Sequence, residues 1–108
     1  MSRFRIVYLH KAQQDLLEIF AYIAADRPQA ARRILMDFDR SIARLEKFPR
    51  SGTVPNDPAL KRRGYRILVV EDYLVFYLIK DKLIQIRRVL HGRGQYGLIL
   101  LDPHAGSQ

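Results

Sequence analysis

From Arg87 to Tyr96 the chain reads Arg-Arg-Val-Leu-His-Gly-Arg-Gly-Gln-Tyr, an apolar strand running into a tight group of cations, a histidine and a tyrosine. A strand that only fills a core has no use for Arg87, Arg88, His91 and Arg93 within seven positions. Forked guanidinium donors at a strand end suit an anion, either a phosphate backbone or an acidic peptide. His91 adds a group that gives or takes a proton near neutral pH. The competing reading is a solvated strand end with no ligand.

Other chemistries find no footing. The absence of cysteine excludes a disulfide scaffold, a thiolate metal site and a cysteine nucleophile, and fits a reducing cytosol. His10, His91 and His104 share no ligand spacing, so neither a metal nor another cofactor is expected. No Ser-His-Asp pattern or phosphate loop is present.

The length of 108 residues fits one domain, since two separate cores would each be too small. With 48% apolar and 28% charged residues the chain is globular. Nineteen Lys and Arg, mostly Arg, against eleven Asp and Glu give a net charge of +8. That excess points to a nucleic acid, a nucleoprotein or an acidic protein as partner. No apolar run approaches the roughly 20 residues that span a bilayer. The N-terminal Met1-Ser2-Arg3-Phe4-Arg5 has no signal-peptide character, and a cytoplasmic domain is expected.

The elements that would carry these residues follow from periodicity. Phe4, Ile6 and Tyr8 alternate with Arg5, Val7 and Leu9, which predicts a short strand. Ala12, Leu16, Ile19, Phe20 and Ile23 predict an amphipathic helix over 11–25. Pro28 suits the first turn of a second helix, whose stripe Ala31, Ile34, Leu35, Phe38, Ile42 and Leu45 reads as core and runs to about Lys47. Its other face carries Arg32, Arg33, Asp37, Arg40 and Arg44. Pro49, Gly52, Pro55, Asn56, Asp57 and Pro58 mark a loop, with Asp57 in a capping turn. Three strands follow, 65–70, 73–79 and 83–90, linked by short polar turns. The expected fold is α+β with order β-α-α-β-β-β, a twisted, mainly antiparallel sheet with a helical hairpin on one face. In the last strand Ile84/Ile86 and Leu83/Val89 compete for the helical side. One domain is expected over 1–96, followed by a tail, 97–108, with the apolar run Leu98 to Leu101 and disordered final residues.

These segments resemble the RelE/ParE toxin superfamily. The stretch Asp15-Leu16-Leu17-Glu18-Ile19-Phe20-Ala21-Tyr22-Ile23-Ala24, then Pro28-x-Ala30-Ala31, is similar to its first helical hairpin. Leu45-x-x-Phe48-Pro49-x-x-Gly52 resembles the exit from the second helix. Gly64-Tyr65-Arg66, Asp72-Tyr73-x-Val75-Phe76-Tyr77 and Arg88-Val89-Leu90-His91-Gly92-Arg93 complete the pattern. The likeness covers about 4–96 and is nearest to the ParE-like plasmid-stabilisation proteins.

The resemblance implies a toxin of a type II toxin–antitoxin pair, and two targets on one fold. ParE-like members poison DNA gyrase without chemistry of their own. RelE-like members cut messenger RNA on the ribosome without a metal. RNA cleavage needs a base for the 2′-hydroxyl, an acid for the leaving oxygen and cations for the phosphate. His91, Arg88, Arg93 and Tyr96 are the catalytic candidates in that reading. The Pro49–Gly64 segment, however, offers only Asp57 and Lys61 where nuclease members carry a carboxylate or several lysines. The gyrase reading is therefore preferred, with Arg66, Arg88, His91 and Arg93 as target-binding candidates, and a toxin fold without toxicity as a further alternative. The implied antitoxin is ParD-like, an acidic amphipathic segment that folds across the helical hairpin and meets Arg33, Arg40 and Arg44. A plain nucleic-acid module would need exposed stacking aromatics. Tyr65, Tyr73, Phe76 and Tyr77 instead alternate with Ile67, Val69 and Val75 as a sheet core would.

Overall fold

The computed structural model describes residues 3–92. Strand β1 (Arg5–Tyr8) leads into helices α1 (His10–Ala24) and α2 (Pro28–Ala43). A single 3₁₀ turn (Arg44–Glu46) and a short helix α3 (Pro58–Arg62) precede β2 (Arg66–Val70), β3 (Tyr73–Lys80) and β4 (Leu83–His91). The α+β class and the expected strand order are both present. The sheet runs β1-β4-β3-β2, parallel between β1 and β4 and antiparallel elsewhere.

Two expectations need correction. The second helix stops at Ala43, and Arg44–Glu46 tightens into 3₁₀ geometry while still burying Leu45. The segment after Pro49 is also not all loop. Asp57 accepts from the backbone N–H of Ala59 at 2.8 Å and of Leu60 at 3.2 Å, and Pro58 takes the first helical position, so α3 forms. The capping role read for Asp57 thus starts a helix whose Leu60 is fully buried.

Both sheet faces are used. On one side α1 and α2 bury Ala12, Ile23, Ala31, Ile34, Phe38 and Ile42 against Val75, Tyr77, Ile84, Ile86 and Val89. On the other, Leu60 of α3 and Tyr65 cover Phe76, with Ile67, Leu74, Leu78 and Leu90 around them. A two-sided sheet explains why Val75, Phe76 and Tyr77 are buried in succession.

The choice between Ile84/Ile86 and Val89 resolves because all three face the helices. The pairing slips between Phe76↔Arg88 and Tyr77↔Ile86, leaving Arg87 with no residue opposite it. This one-residue bulge changes the alternation from even to odd positions. The local cost is visible at Arg87 Nε, buried without a hydrogen-bond partner among the described residues.

Candidate functional site

Strand alternation disperses the cluster that looks continuous in sequence. Arg87 donates from Nη1 to Gln85 Oε1 at 3.1 Å. Arg88 pairs in register with Phe76, on the α3 side of the sheet, and turns around the strand edge towards α1. His91 pairs with Tyr73, on the helical side, and meets that ring edge-on at 5.5 Å. Arg88 and His91 therefore leave β4 on opposite faces.

Arg88 is committed to Asp15. Its Nε and Nη2 donate to Oδ2 and Oδ1 at 2.7 and 3.0 Å, and only 14% and 10% of the two side chains remain exposed. The hydrogen bond to Asp15 raises the Arg88 pKa against the opposing effect of burial, so the guanidinium is a permanent cation. Asp15 does a second task. Its Oδ2 also accepts from the Val89 backbone N–H at 2.9 Å. The parallel β1–β4 ladder ends where Leu9 N–H donates to Ile86 O, and Asp15 satisfies the next open donor along that edge. Arg88, expected to be offered to a ligand, thus has two of its three guanidinium nitrogens engaged from within the fold.

Arg66 is likewise engaged. Its Nη1 donates to Gly52 O at 2.8 Å and Arg50 O at 3.1 Å, holding the loop that follows the 3₁₀ turn. Tyr77 clasps the same loop, with its hydroxyl donating to Pro49 O at 2.8 Å and accepting from Gly52 N–H at 2.9 Å. Burial raises the Tyr77 pKa, and the Gly52 hydrogen bond with the nearby Arg66 charge partly lowers it. Thr53 then pairs with Ile67 along the outer edge of β2.

His91 is exposed beside Gly92, Glu71, Asp72 and Leu74, which together line a cavity of about 410 Å³. Gly92 N–H donates to Asp72 O at 2.9 Å, which fixes where the chain leaves the sheet. The described neighbours here are acidic, so the strand end is less uniformly cationic than its sequence. Arg93 and Tyr96, the tail from Gly97 and His104 lie outside the described residues. Among the described residues no group of His, Asp and Glu could hold a metal ion, and no helix is long and apolar enough to cross a membrane.

Arg40 on the helical hairpin and Arg44 in the 3₁₀ turn after it are exposed. Arg33 is already paired, with Glu71 at 2.7 Å and Asp37 at 3.4 Å. Beside α1 runs an apolar groove of about 560 Å³ lined by Tyr8, Gln13, Leu16, Leu17, Phe20 and Leu35. Leu17 is 69% exposed at its rim, a large apolar surface with nothing over it among the described residues.

Sequence reasoning missed Asp15 and Tyr77. Asp15 was legible in principle: it lies three residues after Ala12 and four before Ile19, inside the apolar stripe of α1. An acid on a buried stripe requires a cation or several donors. No sequence signal marked the Tyr77 hydroxyl, whose partners come from a loop 25 and 28 positions away.

Residues 6–96 match the family described as the ParE toxin of type II toxin–antitoxin system, parDE. Y4kP, a toxin candidate of Sinorhizobium fredii (strain NBRC 101917 / NGR234), is 33% identical over 102 residues, covering 93% of this chain and all of that protein. Among solved structures, a chain of the chromosomal ParDE system from P. aeruginosa superposes with a TM-score of 0.68 at 22% identity, over 82% of this chain and 95% of that one. That likeness is one of fold. The family match and the curated relative together carry the assignment: the chain belongs to the ParE toxin family of type II toxin–antitoxin systems.

Proposed function

We propose that this toxin arrests growth by binding and inhibiting DNA gyrase in the cytoplasm, with no reaction catalysed by the toxin itself. The observation that carries this reading is the scatter of the groups a nuclease would need. Metal-free RNA cleavage requires an acid, a base and phosphate-binding cations around one phosphodiester. In this fold Arg88 is held by Asp15, Arg66 holds a loop, and His91 leaves β4 on the face opposite Arg88. A protein that works by binding needs no such convergence. Target contact then falls to His91 and the chain that continues from Gly92 through Arg93.

The antitoxin in this reading is an acidic, amphipathic segment. Its apolar side fits the groove at Leu16, Leu17, Phe20 and Leu35, and its acidic side fits Arg40 on the next helix and Arg44 in the 3₁₀ turn after it. The test is a gyrase supercoiling assay titrated with purified, antitoxin-free toxin. Inhibition that purified antitoxin reverses supports the proposal. Full gyrase activity from a preparation that still arrests growth overturns it and moves attention to ribosome-dependent mRNA cleavage, with His91 and Tyr96 as the first residues to replace.

A further inference from the structure

Among the described residues, the side of the sheet away from the helical hairpin is only half covered. Leu60 and Tyr65 close it over Phe76. The half built from β1, the start of β4 and the end of β3 is different. Lys80 pairs with Leu83, and Leu83 pairs with Arg5, so the three residues form one row across three strands. Their neighbours Ile79, Ile84 and Ile6 all pack in the helix-side core, which places this row on the outer face. Two strand spacings separate Lys80 from Arg5, about 10 Å at the backbone. Arg3 and Lys82 flank the row, and Gln85 stands next along β4.

Arg3, Arg5, Lys80, Lys82 and Gln85, with Asp81 and Leu83, line an open cleft of about 530 Å³. The four cations are exposed, and among the described residues no carboxylate lies within ion-pair distance of any of them. Lys82 sits 4.6 Å from the Phe4 ring centroid, which steadies the side chain without neutralising it. Arg87 donates to Gln85 Oε1, and the Gln85 N–H groups remain as donors beside the row. Apart from Asp81 and the apolar Leu83, the side chains lining the cleft are cationic or, at Gln85, a neutral amide.

We propose that this open half of the sheet is a docking surface for the phosphate backbone of double-stranded DNA. An acidic peptide that folds on binding needs apolar surface to bury, and none of the exposed large apolar residues lies in this cleft. Single-stranded nucleic acid needs aromatic platforms for its bases. Tyr65 and Phe76, the aromatics of this face, are at most 3% exposed, so its described part offers none. Duplex DNA requires only a row of cations, since it carries one negative charge per about 1.7 Å of helix axis. The surface is separate from His91 and the end of β4, so a toxin seated on a DNA-bound target has both contacts available at once.

The test is fluorescence anisotropy with a labelled mixed-sequence duplex of about 20 base pairs and the purified full chain between 50 and 200 mM salt. Gyrase is left out, so the result stands apart from the identity of the toxin's target. Binding should weaken linearly on a logarithmic salt scale. In the triple variant Arg5→Gln, Lys80→Gln, Lys82→Gln the slope should become shallower by about 2–3, with affinity at 100 mM salt down by about tenfold or more. Lys80→Gln alone should remove about one unit of slope and serves if the triple variant does not fold. Arg27→Gln with Arg32→Gln, on the helical face, should leave both quantities unchanged. The proposal is overturned by absence of salt-dependent binding, or by an equal loss in the helical-face control. Displacement of the duplex by polyglutamate of matched charge also overturns it, as does tighter binding of a duplex RNA of the same length.

Discussion

Asp15 and Arg88, 73 positions apart, meet side-on with two guanidinium nitrogens on two carboxylate oxygens, and the same carboxylate holds the Val89 N–H. One acid on α1 therefore neutralises a nearly buried cation and closes the edge of β4 where β1 runs out. Removing one member of such a pair strands the other charge, at a cost of about 3–5 kcal/mol. Asp15→Ala and Arg88→Ala should each lower unfolding free energy by about that much in urea titrations. The double variant Asp15→Leu, Arg88→Met should recover a large part of the loss, because no charge is left stranded. A double variant as unstable as the sum of the singles would exclude this account. Loss of toxicity in Arg88→Ala must accordingly be read beside its stability.

Tyr77 should behave as a clasp between the sheet and the loop at Pro49–Gly52. Tyr77→Phe leaves the Gly52 N–H and Pro49 C=O without their partner and should cost about 1–3 kcal/mol. Gly52→Ala should be no milder. A Cβ there would stand 2.5 Å from the Tyr77 hydroxyl oxygen and 2.9 Å from the Ile67 carbonyl oxygen, and that backbone has no room to retreat. Thermal melts of the two single variants and their combination test this. Because both changes break the same clasp, the double variant should lose less than the sum.

The clasp also has a pH signature. Tyr8, Tyr73 and Tyr77 all have pKa values raised above the ordinary 10.0, in each case first by burial. A raised folded-state value means that the unfolded chain gives up the proton first. This contribution to stability is complete below pH 10 and is lost as pH rises through the raised values. Urea midpoints at pH 8, 10 and 11 should fall over the last interval. Tyr77→Phe should be less stable at pH 8 but show a shallower alkaline decline. An equal decline in both proteins would remove Tyr77 from the explanation.

Periodicity was sufficient for the helical hairpin, the three-strand meander and the helix-side core, since each depends on spacings within a single element. It was insufficient where one residue breaks a period. The unpaired Arg87 moves the helix-side positions from even to odd, and nothing in Gln85-Ile86-Arg87-Arg88-Val89 marks which position bulges. The candidate site suffered most. Arg88 and Arg66 carry the residue types of a phosphate site, but Arg88 Nε and Nη2 are held by Asp15, and Arg66 Nη1 by the Arg50 and Gly52 carbonyls. Side-chain type in a sequence announces what a group can bind, whereas the partners already supplied by the fold decide what remains to be bound.

The two hairpin turns carry non-glycine residues in left-handed backbone, Glu71 at φ 55° and Asp81 at φ 58°. Glycine adopts that region without a Cβ penalty, and substitution there is worth about 1 kcal/mol. Glu71→Gly also removes the ion pair with Arg33, a partly exposed contact worth at most about 1 kcal/mol, so the net change should be near zero. Asp81→Gly breaks no ion pair or hydrogen bond among the described residues and should raise the melting temperature. In an Arg33→Gln background, Glu71→Gly should become stabilising too. Differential scanning calorimetry of these variants separates strain from charge, and a destabilised Asp81→Gly would contradict the strain argument.

Arg33 and Arg40 were both expected to meet the antitoxin, but their surroundings now differ. Arg33 is held by Glu71 and Asp37, whereas Arg40 is exposed with no such pair among the described residues. An acidic partner would therefore draw on Arg40 without breaking a contact, and would have to compete for Arg33. Charge reversal Arg40→Glu should weaken the purified toxin–antitoxin complex by about 1–2 kcal/mol and flatten the salt dependence of its formation. Reversal at Arg33 should weaken it as well, but should also destabilise the free toxin, because a third carboxylate would then face Glu71 and Asp37. Calorimetric titration of antitoxin into each variant, beside a melt of the toxin alone, distinguishes the two effects. Unchanged affinity in the combined Arg33→Glu, Arg40→Glu variant would remove the helical hairpin from the antitoxin interface.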